Sequence, residues 1–201
     1  MPDGTLRKKE PVMNNTLPQD DEYENGSARD WEAWLKEHAA RIYLFARQQA
    51  RTQEDAEDIV QEALVRLARK EASGEFIGGR EAWLPFVYTS IRRIAIDFRR
   101  RDDRRTRREQ TSADDTTDLL NDPWFSSESG EDELRNLLDR QLKKLPGKFS
   151  EVIILKIWGE QTFQQIADTL GISLNTVASR YRYGLEQLRK AISGQKDDYQ
   201  Y

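Results

Sequence analysis

Five polar side chains, Thr176, Ser179, Arg180, Arg182 and Tyr183, recur on one face of the stretch TFQQIADTLGISLNTVASRYRYGLEQLRK, residues 162–190. Hydroxyls and guanidinium groups at that spacing suit hydrogen bonding to base edges or phosphates in a major groove. The opposite face supplies the scaffold. Phe163, Ile166, Ala167 and Leu170 form the apolar side of a short helix. Gly171 sits where the chain must stop and turn, a position that favours left-handed backbone. Ser173 or Asn175 can cap the next helix, and Val177, Tyr181, Gly184, Leu185 and Leu188 form its buried side. Two short helices so joined make a helix-turn-helix. A plain helical hairpin with solvated arginines would show the same pattern, so the flanking sequence decides.

A second cluster lies upstream. Residues 90–108 hold nine arginines against three aspartates. Arg92, Arg93, Arg99, Arg100 and Arg101 can neutralise phosphates, and the preceding Phe86 and Tyr88 can stack on unpaired bases or pack in a core. A third cluster is acidic: Asp55, Asp58, Gln61 and Glu62 lie on or near the polar side of the run EDAEDIVQEALVRLARK, away from Ala56, Ile59, Val60, Ala63, Leu64 and Leu67. An acidic face does not suit DNA; it suits a basic protein partner.

Catalysis is poorly provided for. The chain has no cysteine and one histidine, His38. Thiolate chemistry, disulfides and multi-histidine metal sites are thereby excluded. Asp102–Asp103 and Asp114–Asp115 are paired carboxylates without a metal-loop pattern. No catalytic residue, metal or cofactor is expected. No apolar run approaches the length of a membrane span, and the N-terminus lacks the apolar core of a signal peptide; a cytoplasmic protein is expected.

The elements that position these clusters follow from periodicity and charge. The chain is lean and highly charged, 37% hydrophobic and 34% Asp, Glu, Lys and Arg, with a net charge of −4. The sum conceals a pattern: residues 111–133 hold eight acidic residues and no basic one, whereas residues 134–193 hold ten Lys or Arg against five Asp or Glu. Two basic modules thus flank an acidic segment. Residues 1–28 read as a disordered acidic tail. A first helical domain covers residues 29–105, opened by Trp31, Trp34, Leu35, His38, Ile42 and Phe45 at helical spacing. Thr52 caps its next helix, SGEFIGG breaks the chain, and Pro85 is tolerated in a first turn. Residues 106–132 read as an acidic linker, residues 133–193 as the helix-turn-helix domain, and residues 194–201 as a polar tail. In the second domain PGKFS is expected to end a helix and Ser150 to cap EVIILKIW. The fold class is all-α, two small helical domains on a flexible acidic linker. That linker reaches at most about 90 Å, enough for modules one or two turns apart on DNA at ~34–36 Å per turn.

With these segments in order, DAEDIVQEALVRLAR, IRRIAIDFRRR, an acidic linker and LKKLPGKFSEVIILKIWGEQTFQQIADTLGISLNTVASRYRYGLEQLRK, the chain closely resembles the extracytoplasmic-function (ECF) group of the sigma-70 family over about residues 29–193. The resemblance implies a transcription initiation factor, not an enzyme. Such a factor joins core RNA polymerase, through the β′ clamp coiled coil and the β flap, and reads promoter DNA. It implies polymerase docking by Asp55, Asp58, Gln61 and Glu62. It implies −10 recognition and melting by Phe86, Tyr88, Arg92, Arg93, Arg99, Arg100 and Arg101, with SGEFIGGRE as the loop that captures a flipped base. It implies −35 recognition by Thr176, Ser179, Arg180, Arg182 and Tyr183. An anti-sigma factor is a further partner the family suggests, and a monomer is expected when the protein is free. The chain departs from the common wording at Arg93, at Gly78 and Gly79, at Ala178 and at Tyr183–Gly184, so family promoter sequences do not carry over. A stand-alone helix-turn-helix regulator is the alternative, and a polymerase adaptor that does not read promoters is another.

Overall fold

The computed structural model describes residues 20–109 and 132–196. Among these the regular structure is helical: α1 (Asp20–Gln49), α2 (Gln53–Ala72), a 3-10 turn (Arg80–Ala82), α3 (Trp83–Glu109), α4 (Asp132–Lys144), α5 (Gly147–Ile157), α6 (Phe163–Leu170) and α7 (Leu174–Lys196). The all-α expectation holds. The chain divides within α1 into two units, residues 1–37 and residues 38–201. In the first, Trp31 and Trp34 stack edge to face at 5.9 Å. The three clusters singled out above all belong to the second.

Local signals set most boundaries. Thr52 accepts a hydrogen bond from the Asp55 amide at 3.1 Å, closing the N-terminus of α2. Glu54 and Asp55 in the first turn and Arg69 and Lys70 in the last both complement the helix dipole. Thr162 and Gln165 form a reciprocal capping box at α6. Gly171 ends α6 in left-handed backbone, φ 65° and ψ 39°. Ser173, rather than Asn175, caps α7, accepting from the Thr176 amide at 3.2 Å.

Three expectations are corrected. The first helix starts at Asp20, not near residue 29: no proline lies between Pro18 and Pro85, so nothing in the backbone stops a helix from extending upstream. Likewise α3 runs on to Glu109, past residue 105. PGKFS follows the end of a helix as expected, but it also starts the next one, so Ser150 is not the cap. Helix α4 stops at Lys144, Pro146 occupies the cap position, and α5 begins at Gly147. Ser150 is therefore inside α5, where its hydroxyl donates to the Gly147 carbonyl at 3.3 Å. Residues 1–19, 110–131 and 197–201, which hold most of the expected tails and linker, lie outside the described residues.

Helices α2 and α3 pair closely, and Ala56, Ile59, Ala63 and Leu67 are buried on α2 while Val87, Ile91, Ile94 and Ala95 are buried on α3. Phe45 of α1 meets Tyr88 of α3 edge to face at 5.3 Å. A second core gathers Leu142, Ile153 and Leu188, with Leu138, Leu145, Trp158, Tyr181, Leu185 and Ile192 packed around it. Helix α7 approaches α5 at Gly184, where a Cβ would lie 3.1 Å from Phe149 Cβ and 2.9 Å from Ile153 Cδ1. Helix α6 packs on both α7 and α3.

Candidate nucleic-acid interface

The helix-turn-helix forms as expected, but its five polar residues are not equally presented. Arg182 is exposed and lies over the Tyr183 ring at 5.1 Å. Tyr183 itself is 50% exposed, unusual for so large an aromatic ring. Ser179 and Thr176 are half-buried. The Thr176 hydroxyl shares a 2.8 Å hydrogen bond with Ser173, so it also serves the turn. Arg180 is not on the outer face as the sequence suggested. It turns inward and donates to Glu151 Oε1 at 3.2 Å.

The basic helix α3 divides in the same way. Arg93, Arg99, Arg100 and Arg101 are exposed. Arg99 reaches Gln49 at 3.5 Å, and Arg101 lies over the Phe98 ring at 5.1 Å. They leave a positive surface toward the end of α3. Arg92 is engaged: it donates to Glu151 Oε2 at 3.1 Å and to the Leu170 carbonyl at 3.4 Å. Phe86 is half-buried against Phe76, ring centroids 5.4 Å apart. Tyr88 is 0% exposed. In this structure it is a core residue, not a presented stacking platform, because α1 covers its ring. Burial pushes its phenol well above the usual tyrosine range; Arg41 opposes that rise and Glu160 adds to it.

The glycine-rich loop between α2 and α3 is tied at its ends by the Trp83 indole, which donates to Glu71. Gly78 has φ 109°, and a Cβ there would lie 2.9 Å from Ala82 Cβ; the conformation excludes other residues. The turn leaves Ile77 91% exposed. On α2, Asp58 and Gln61 are exposed, while Asp55 and Glu62 are half-buried. Glu62 pairs with Arg66 at 2.9 Å. The four are therefore accessible along one helix, though Glu62 is partly neutralised. Asp102 and Asp103 hold no metal cluster among the described residues; both pair with Arg51.

Sequence reading missed Glu151. It is buried with a carboxylate oxygen on each of Arg92 and Arg180. The signal was one acid inside the apolar run SEVIILKIW, since a buried carboxylate requires paired cations or donors. Its partners were not visible without the fold.

A helix-turn-helix with an exposed basic face, behind a helical body carrying a second basic helix, is the arrangement of a helix-turn-helix DNA-binding protein. Comparison makes the class specific. Residues 34–105 match the family model for sigma-70 region 2 and residues 141–190 that for sigma-70, region 4. The chain is 31% identical to the ECF RNA polymerase sigma factor SigL of Mycobacterium tuberculosis, over 80% of this chain and 87% of that protein. It is 31% identical to the ECF RNA polymerase sigma factor SigE of Mycolicibacterium smegmatis over 81% of this chain, but spans only 62% of that relative's length. It is 28% identical to the RNA polymerase sigma factor SigV of Bacillus subtilis, over 77% of this chain and 86% of that protein. A solved complex of the sigma factor RpoE with the anti-sigma factor NepR from Bartonella quintana shares the fold. That match has a TM-score of 0.60 at 20% identity, over 82% of this chain and 98% of that one. This chain belongs to the sigma-70 family of RNA polymerase sigma factors, in its ECF group.

Proposed function

We propose that this protein binds core RNA polymerase and directs it to promoters carrying two DNA elements, one read by α7 and one read and opened by α3. The observation that carries this reading is the helix-turn-helix of α6 and α7, with Arg182 and Tyr183 on its open face. A lone helix-turn-helix would also serve a stand-alone regulator. The match to both region 2 and region 4 favours the initiation factor. The exposed Asp58 and Gln61, beside Asp55 and Glu62, form the face proposed to dock on a basic coiled coil of the polymerase. The RpoE structure was solved with an anti-sigma factor, which supports a partner of that class here. Bond formation belongs to the polymerase.

The test adds the purified protein to sigma-free core polymerase on genomic DNA and maps transcript 5′ ends. Discrete starts behind a shared two-part motif are expected. Replacing Arg182 and Tyr183 together with Ala should lower use of those starts at least tenfold, since a good base contact contributes about 1–3 kcal/mol. Tight polymerase binding with no specific starts would overturn the reading in favour of an adaptor.

A further inference from the structure

Helix α7 carries an uncharged stripe. Thr176, Ser179 and Tyr183 stand at spacings of three and four, so they line one ridge of the helix. Arg182 and the exposed Ala178 lie further round the same outer surface. The rotation that turns this surface outward is fixed from behind. Gly184, about 100° around the axis from Tyr183, is buried against Phe149 and Ile153 with no room for a methyl group. Val177 and Leu188 are buried on that same side.

The Tyr183 ring offers what the hydroxyls of the stripe do not. It is half exposed, and the Arg182 guanidinium lies over it at 5.1 Å. A cation over one face steadies the ring and leaves its edge and other face for a partner. Base edges in the major groove are polar apart from one group, the C5 methyl of thymine. An exposed ring on a groove-facing ridge is therefore matched to thymine, whereas the hydroxyls of Thr176 and Ser179 suit several bases. Glu186, one turn on, ends the stripe. Lys190 donates to its carboxylate at 2.9 Å. That hydrogen bond, with the charges of Lys190, Arg189 and Arg182, holds Glu186 below the usual carboxylate range, so this end stays ionised and paired rather than open to a base.

We propose that Tyr183 selects thymine at one position of the element read by α7, by packing its ring against the C5 methyl group in the major groove. Arg182 acts there as a positioning residue that steadies the ring. The proposal rests on the sigma-factor reading of α7 and deepens it, naming the base and the group on that base.

The test assembles holoenzyme from the full chain and core polymerase, offers it duplex DNA randomised across the upstream element, and sequences the bound molecules. Each thymine of the selected element is then replaced in turn by deoxyuridine, which lacks only the C5 methyl. At one position deoxyuridine should weaken binding about fourfold, the effect of burying one methyl group. Cytosine there should weaken binding further, and 5-methylcytosine, which carries the methyl at the same place, should recover part of the loss. Tyr183→Ala should bind thymine and deoxyuridine equally at that position and keep the preferences elsewhere in the element. Its melting temperature should stay nearly unchanged, because the ring is half exposed. Tyr183→Phe should keep the preference, and Arg182→Met, which removes the cation and keeps a long side chain, should narrow it. Equal binding of thymine and deoxyuridine by the natural protein at every selected position would overturn the proposal. So would a Tyr183→Ala variant that still discriminates between them. A holoenzyme that selects no upstream element at all would overturn the sigma reading of α7 and the proposal with it, a result distinct from an element selected without regard to the methyl group.

Discussion

At the scale of single residues, Tyr88 shows how the same side chain serves two readings. Its sequence position beside an arginine-rich helix suggested base stacking. The fold places it against Phe45 with its hydroxyl buried and without a hydrogen bond. An unsatisfied buried hydroxyl costs free energy that phenylalanine avoids. Tyr88→Phe is therefore expected to leave thermal stability unchanged or raise it, whereas Tyr88→Ala should cost about 3–5 kcal/mol; denaturant unfolding distinguishes them. The sign with pH follows from the raised phenol. The folded state keeps its proton more firmly than the unfolded state, so that contribution is complete below the ordinary tyrosine value of about 10 and is lost as pH rises above it. The melting temperature of the natural protein should fall relative to Tyr88→Phe above about pH 10, and parallel curves would refute the assignment. Arg180 and Arg92 teach the same lesson: their positions on helices were legible, but their direction depended on Glu151, a residue close to neither in sequence.

At the scale of helices, legibility followed how local the signal was. Thr52, Gly171 and Ser173 act within three or four residues of themselves, and each did what its sequence context indicated. The apolar run after Ser150 also reads correctly as helix, because no companion strand pattern exists in the sequence. The stop before Pro146 was legible, but the cap of the next helix was placed at Ser150 instead of Pro146, since proline both ends helices and begins them. The start of α1 was missed because polar composition alone does not forbid a helix. Gly184 illustrates a packing constraint that periodicity identified as buried but could not size. Phe149 and Ile153 both lie within 3.1 Å of the point a methyl group would occupy there. Gly184→Leu should therefore push α7 from α5 and cost about 1–3 kcal/mol, read as a lower denaturation midpoint with unchanged helical signal at low denaturant.

For the whole molecule, charge is partitioned rather than mixed. The net charge of −4 coexists with exposed arginines at the end of α3 and an acidic face on α2, so different surfaces suit partners of different sign. Asp58→Lys, which reverses a charge, together with Gln61→Lys, which adds one, should weaken core polymerase binding, measured by co-elution, while leaving the melting temperature nearly unchanged, because surface changes of this kind move stability by less than ~0.5 kcal/mol. Loss of folding instead would assign those residues to the scaffold. The order of the two domains and the class of fold were readable because each module carries its own periodicity. How α3 comes to rest on α6 was not, since no repeat within either module encodes a seam made of long-range ion pairs.

The pair Arg41–Glu160 and the shared Glu151 have a consequence for ionic strength. Salt weakens protein–DNA attraction by reducing the gain from counterion release, and it also screens the part-exposed pairs Arg41–Glu160, Arg92–Glu151 and Arg180–Glu151. Those pairs contribute little one by one, so added salt should lower the melting temperature of the free protein only slightly, whereas promoter use should fall steeply with the same salt.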